Sequence, residues 1–221
     1  MSNITKILVA NRGEIAVRVI HTARELGYRT VAVYSEADAD ALHVNEADQA
    51  VCIGPAPVGE SYLVTENILA AARQTGADAI HPGYGFLSEN AAFSRACESA
   101  GLVFIGPRAE AIELMGSKRL SKLAMLEAGV PCVPGYQDAD QSDETLMAKA
   151  GEIGFPLMVK ASAGGGGRGM RLVFEQSELA EQIRTARSEA ESAFGNGELI
   201  LEKAVVEPRH IEIQVFADEQ G

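Results

Sequence analysis

Apolar positions along the 221-residue chain change their spacing in a repeating order. Ile7-Leu8-Val9-Ala10 is a continuous apolar run of strand length, and Ile15, Val19, Ala23 and Leu26 then recur at helical spacing until Gly27. Thr30 to Tyr34 predicts the next strand. Tyr62 to Thr75 reads as a helix closed by Gly76, Ala79-Ile80 opens a short strand, and a helix from about Glu89 to Ala100 stops at Gly101, before a strand at Leu102 to Ile105. Helix, glycine, strand, repeated, predicts βαβ units around a parallel sheet. Such a sheet offers ligand sites at the carboxyl ends of its strands. Two loops fall there: Asn11-Arg12-Gly13-Glu14, which turns straight from strand into helix, and His81 to Asn90, dense in proline, glycine and aromatic residues. With one glycine the first loop is a poor dinucleotide site, and a plain tight turn with Glu14 capping the helix explains it equally well.

The second half has a different grammar. A helix is predicted from about Ser117 to Ala128, with Ser117 as N-cap and Gly129 then Pro131 closing it. Lys118 and Arg119 sit in its first turn, the wrong end for the helix dipole unless an anion lies nearby; a solvated face is the alternative for Lys118. Pro131 to Pro134 and the polar tract Gln137 to Glu144 predict a domain boundary. A smaller unit follows, with a helix near Leu146 to Ile153, a long helix from Ser177 to Ala193 whose Leu179, Ile183, Ala186 and Ala190 share one face, and a strand at Glu198 to Lys203. Ile211, Ile213 and Val215 alternate with His210, Glu212 and Gln214, predicting a half-buried strand, with Asp218 to Gly221 as the turn after it. A strand without its returning partner marks the chain as an expected fragment of a longer protein.

The richest stretch for chemistry lies between Pro156 and Phe174. The apolar run Pro156-Leu157-Met158-Val159 leads into Lys160, five glycines fall within the six positions from Gly164 to Gly169, and Met170 to Phe174 carries the chain away. A glycine loop between two strands can close its backbone N–H groups over phosphate oxygens, with Lys160, Arg168 and Arg171 adding charge. A flexible linker is the alternative, but linkers are not usually clamped between apolar runs. Gly164, Gly166 and Gly169 match G-x-G-x-x-G by letter, yet a strand follows where a dinucleotide site needs a helix. Met170 and Arg171 replace the Lys and Ser or Thr of a P-loop, and a kinase lid carries its lysine on the strand after the loop, not before it.

Composition narrows the partners. A formal net charge of −12 argues against a nucleic-acid groove or an anionic membrane surface, so any basic patch is local to a small anion. Cys52, Cys97 and Cys132 are far apart among apolar neighbours, predicting buried, reduced thiols. The chain shows neither a membrane-length apolar run nor a targeting presequence, and a cytoplasmic protein is expected.

Taken together, Ile7 to Ala16, His81 to Asn90, Met115-Gly116-Ser117-Lys118, Lys160 to Met170 and Pro208 to Gln214 resemble, in order and over the whole chain, the biotin carboxylase component of biotin-dependent carboxylases. The resemblance implies an ATP-grasp enzyme of α/β class: a Rossmann-like N-terminal domain with a parallel sheet at 1–115, a linking helix and boundary at 116–134, a small α+β lid at 135–203, and the first strand of a truncated third domain at 204–221. It implies that ATP phosphorylates bicarbonate to carboxyphosphate, whose CO₂ is captured by biotin on a carrier domain. Lys118 and Lys160 would contact ATP phosphates, and Gly164, Gly165, Gly166, Gly167, Arg168 and Gly169 would form the closing lid. Glu202, Lys203 and Val205 would belong to the adenine hinge, His210 would touch the nucleotide, and Tyr84 and Gly85 would approach biotin. Ala204 departs from the aromatic residue the family often has there, which implies weaker packing on adenine.

The Mg²⁺ carboxylates, the bicarbonate-binding Lys and Arg and the biotin-facing Arg lie, in the family, beyond residue 221. No catalytic or metal residue is therefore assigned within this chain, and it is expected to have no turnover alone. The implied partners are a carrier domain, a carboxyltransferase subunit and a second biotin carboxylase copy, as in the alpha subunit of an acyl-CoA carboxylase. Pyruvate carboxylase is the near alternative, carbamoyl-phosphate synthase a more distant relative, and a non-catalytic nucleotide-binding or assembly module the alternative of another class.

Overall fold

The computed structural model describes residues 4–164, 169–215 and 217. The chain divides into two compact units, Met1–Gly116 and Ser117–Gly221.

The first unit is built on a five-stranded parallel sheet of β1 (Lys6–Val9), β2 (Arg29–Tyr34), β3 (Gln49–Cys52), β4 (Ala79–His81) and β5 (Val103–Phe104), in the order β3-β2-β1-β4-β5. Its helices are α1 (Gly13–Glu25), α2 (Leu42–Glu46), α3 (Thr65–Thr75), α4 (Ala91–Ser99) and α5 (Ala109–Gly116). Strands buried on both faces are apolar almost throughout, and β1 accordingly carries Ile7, Leu8 and Val9 after Lys6, with both its faces covered. On one face Leu8, Val31, Val33 and Ile80 pack with Ile68, Phe93 and Phe104; on the other Val9 and Ala32 pack with Ala16 and Ile20 of α1. The strand order reverses between β1 and β4, so the loops that follow these two strands leave the same end of the sheet side by side.

The second unit comprises α6 (Lys118–Glu127), β6 (Gly135–Tyr136), α7 (Asp143–Ile153), β7 (Leu157–Ala161), β8 (Met170–Val173), α8 (Gln176–Phe194) and β9 (Leu199–Lys203). Its sheet is antiparallel, in the order β6-β9-β7-β8. Period-two alternation gives the sheet two different faces. Leu157, Val159, Val173, Leu199 and Leu201 point into a core closed by Leu146 of α7 and by Leu179, Ile183 and Ala186 of α8. Met158, Lys160 and Glu202 occupy the other face, where α6 brings Lys122 to Glu202 and a cavity opens beside Lys160.

Several sequence expectations are corrected here. The strand expected at Ile211 to Val215 is not formed: the segment has no ladder partner among the described residues, and Ile211, Ile213 and Val215 are exposed. Alternation specifies two faces but cannot supply the neighbouring strand that pairs the backbone. Cys97 is buried, but Cys52 is exposed and Cys132 half-buried; all three are free thiols. Burial pushes the Cys97 thiol up to about 12. Between Pro134 and the polar tract Gln137 to Glu144 the chain forms the short strand β6, which the apolar pattern did not mark. The first unit also has three elements the apolar pattern did not mark, α2, β3 and α5.

Phe93 is fully buried and meets Phe104 edge to face, with ring centroids 5.9 Å apart. Phe93→Ala is expected to lower stability by about 3–5 kcal/mol, measured by urea denaturation; a loss below about 1 kcal/mol would contradict this packing.

Candidate nucleotide site

Within the second unit, the residues flagged around the glycine loop converge on one carboxylate. Register places Met158 opposite Glu202 and Lys160 opposite Ile200, so Lys160 and Glu202 are diagonal neighbours on the face away from the core. Lys160 Nζ donates to Glu202 Oε2, and Lys122 Nζ, from α6, donates to Glu202 Oε1 at 2.8 Å. Burial raises the Glu202 pKa, but the two lysines outweigh it through hydrogen bonds and charge, leaving the carboxyl below its ordinary range.

The start of α6 is anchored to the same place. Ser117 caps the helix by accepting from the Leu120 N–H, as its position predicts, and its Oγ lies 3.2 Å from Ser162 Oγ at the end of β7. The Lys118 N–H donates to the Ser162 carbonyl at 2.9 Å, and Lys118 Nζ donates to the Gly164 carbonyl. Burial and the nearby Lys160 charge hold the Lys118 ammonium below the ordinary lysine range. Two ammoniums brought close enough to weigh on each other, beside a glycine loop, form an electrostatic setting for a polyanion.

Gly164 begins that loop at φ +80°, and a Cβ there would lie 2.3 Å from the Phe194 ring, so both conformation and space require glycine. Gly169 ends the described part of the loop, its carbonyl accepting from the Ala161 N–H. Gly165, Gly166, Gly167 and Arg168 lie outside the described residues.

Beyond Lys160 the same face opens into a cavity of about 490 Å³. Met158, Met170, Leu172 and Phe174 form its apolar wall, while Glu202 to Pro208 form its opposite edge. That volume is in the range of small-molecule sites. The Lys203 and Ala204 N–H groups are taken by the carbonyls of Pro134 and Pro156. Val205 lines the cavity, and its N–H has no partner among the described residues. His210 does not join this cluster: it is exposed and faces Glu212 at 3.4 Å.

The first unit brings its two loops together through Asn11. Asn11 Nδ2 donates to the carbonyls of Pro82 and Tyr84, both at 2.8 Å, while Asn11 Oδ1 accepts from the Arg12 N–H. Gly83 lies so close that a Cβ would sit 2.7 Å from Asn11 Nδ2. Glu14 does not cap α1; it accepts from the exposed Tyr84 hydroxyl. Arg12 lies over the stacked rings of Tyr62 and Phe86, 5.3 and 5.6 Å from their centroids, and pairs with Asp38 at 3.2 Å. Phe86 holds a left-handed φ of +44° within this stack. Burial pushes the Tyr62 phenol up to about 12, reinforced by its hydrogen bond to Asp38. Loop 81–90, with Tyr84 and Gly85 at its tip, is thus fixed from below by buried polar contacts.

Known proteins decide what these two units are. The biotin carboxylase N-terminal domain family matches residues 3–112, and the carbamoyl-phosphate synthase L chain ATP-binding domain family matches residues 117–221. The chain belongs to the biotin carboxylase family. It is 53% identical over 218 residues to the mitochondrial methylcrotonoyl-CoA carboxylase subunit alpha of Dictyostelium discoideum, covering 99% of this chain and 31% of that protein. It is also 53% identical over 217 residues to the biotin carboxylase of Pseudomonas aeruginosa, covering 98% of this chain and 48% of that one. The chain therefore spans a third to a half of the length of these biotin carboxylase relatives. Among solved structures, the biotin carboxylase–β-γ-ATP complex from Campylobacter jejuni aligns with a TM-score of 0.90 at 49% identity, over 94% of this chain and 46% of that one. The biotin carboxylase domain of Hydrogenobacter thermophilus 2-oxoglutarate carboxylase, solved with MgADP, ADP and bicarbonate, aligns with a TM-score of 0.88 at 50% identity, over 93% and 45%. The expected family is borne out, and so is the expected α/β class with a parallel sheet followed by a smaller α+β unit, whose sheet the structure shows to be antiparallel.

Sequence reasoning passed over two residues of these biotin carboxylase units. Lys122 looked like any lysine on an amphipathic helix, and its burial depends on Glu202, 80 positions away. Asn11 was flagged only as part of a turn; its side-chain contacts reach 71 and 73 positions along the chain.

Asp38 gives a pH-dependent check on the first unit. Burial raises its pKa, but hydrogen bonds from Tyr62, Ser35 and Arg12 outweigh this and hold the carboxyl below its ordinary value. A depressed folded-state pKa contributes stability that is present at neutral pH and is lost as pH falls below the ordinary aspartate range, through the folded value. Asp38→Asn is therefore expected to be less stable than the unsubstituted protein at pH 7, with the gap narrowing in acid. Melting curves at pH 7 and pH 3 test this, and a pH-independent gap would contradict it.

Proposed function

We propose that the protein carrying this chain is a biotin carboxylase, which uses ATP and bicarbonate to carboxylate biotin on a carrier domain, and that this chain supplies its nucleotide-holding region. The observation that carries the reading is Lys160 at the edge of the apolar cavity, with Lys118 holding the Gly164 carbonyl at the start of the glycine loop. In this reading adenine lies against Met158, Met170, Leu172 and Phe174, with the free Val205 N–H and the Glu202–Lys203 backbone reading its edge. The phosphates then extend toward Lys160 and Lys118. Residues 135–203 act as the lid, Gly164 to Gly169 supplying N–H groups over the phosphates, and 204–221 begin the next subdomain. His210 reaches the nucleotide only once its segment has a packing partner.

The chemistry asked of these groups is electrostatic. Transfer of a phosphoryl group to bicarbonate needs charge neutralisation, in-line positioning and exclusion of water from a labile carboxyphosphate. Bound Mg²⁺ would add charge neutralisation, but among the described residues no cluster of His, Cys, Asp or Glu is arranged to hold a metal ion. Glu202 is already committed to two lysines, so no step here runs through the metal. Loop 81–90 presents Tyr84 and Gly85 toward biotin, fixed by Asn11. Biotin's carrier domain, a carboxyltransferase subunit, a second biotin carboxylase copy and a cytoplasmic setting complete the reading. The acyl acceptor is chosen by those partners, since the relatives include both a methylcrotonoyl-CoA carboxylase subunit and a biotin carboxylase.

Lys160→Ala in the intact protein is expected to lower bicarbonate-dependent ADP formation with free biotin by about 100-fold or more, with an unchanged circular dichroism spectrum. Near-normal turnover in that variant would refute the assignment.

A further inference from the structure

Among the described residues of the second unit, Lys122 is the only buried charged side chain, at 8% exposure. It lies four positions after Lys118 on α6, so the two lysines share a helix face one turn apart. Lys118 reaches the start of the glycine loop, while Lys122 reaches the Glu202 oxygen that Lys160 does not use. Space has been cleared for that ammonium: a Cβ on Gly135 of β6 would lie 2.8 Å from Lys122 Nζ.

A carboxylate next to a phosphate site is a liability. It repels the polyanion, and it competes for the lysine that the phosphates need. Glu202 is only 15% exposed, so if Lys160 swung away to a phosphate and nothing else held the carboxylate, a bare charge would remain in a poorly solvated place. Lys122 removes that obstacle, because it neutralises Glu202 from the buried side and does not need to move.

Resting on the proposed function, we infer that Lys122 is a positioning residue for nucleotide binding: it keeps Glu202 compensated, so that Lys160 can exchange between the Glu202 carboxylate and the phosphates of ATP. Without Lys122, Lys160 is the sole ion-pair partner of Glu202 among the described residues, and each phosphate contact must be won against an uncompensated buried charge.

The test is the dissociation constant for ATP, measured by calorimetry on the intact protein. K122M is expected to weaken ATP binding about tenfold, and K122M/E202Q to restore it to within about twofold of the unsubstituted protein, since the competing charge is gone. Unchanged affinity in K122M, or a double variant as weak as K122M, would each overturn the inference. ATP binding without carboxylation of biotin would refute the proposed function and leave the Lys122 comparison standing; no ATP binding by the unsubstituted protein would overturn both.

Discussion

The second unit is organised by the sharing of one carboxylate between two ammoniums. Glu202, only 15% exposed, sits on a sheet face it shares with Lys160 and the apolar Met158, Met170 and Leu172, where an unpaired charge would be costly. Satisfying it requires β7 and β9 to pair in the register that sets Met158 opposite Glu202, and requires α6 to lie where Lys122 can reach the second oxygen. The same arrangement stations Lys160 at the mouth of the cavity, with Lys118 one turn along α6 from Lys122. A structural requirement, compensation of a partly buried charge, thereby produces a functional one: a cluster with net positive charge beside a glycine loop that can close on phosphate.

The first unit meets a similar constraint with neutral groups. Where the strand order reverses, β1 and β4 release their loops side by side, and backbone carbonyls in such a place need donors. Asn11 provides them for Pro82 and Tyr84, and the close approach of Gly83 shows how little room the contact leaves. Below it, Asp38 gathers Arg12, Ser35 and Tyr62, while Arg12 covers the Tyr62–Phe86 stack. These contacts fix the loop through groups of differing chemistry, so its tip residues, Tyr84 and Gly85, are presented on a rigid base.

Much of this was legible in the order of residues, because the signals are local. A buried parallel strand is apolar almost throughout, so Ile7 to Ala10 and Thr30 to Tyr34 announced themselves, and glycine after α1, α3 and α4 marked the return to the sheet. Ser117 before a helix with no other N-cap, and Lys160 immediately before the glycines, were equally local. What the pattern missed depends on distant partners. β3 is a half-exposed edge strand and β6 has two residues, so neither carries an apolar run. Lys122 becomes a site residue only through Glu202, and Asn11 only through loop 81–90. The opposite error occurred at Ile211 to Val215, where alternation is clear but no neighbouring strand pairs with it among the described residues. Lys160 and the Glu202–Val205 edge line one cavity of the second unit and Lys118 holds the Gly164 carbonyl at the glycine loop, whereas His210 stays apart.

The central claim, that the apolar face of the second unit receives the adenine of ATP with its phosphates on Lys160 and Lys118, is tested most directly by photolabelling the intact protein with an azido-adenine analogue of ATP and mapping the modified peptides. The account predicts label on the cavity walls, at Met158, at Met170 to Phe174 or at Glu202 to Pro208, and its suppression by unlabelled ATP. Competable label confined to peptides outside these segments would contradict it.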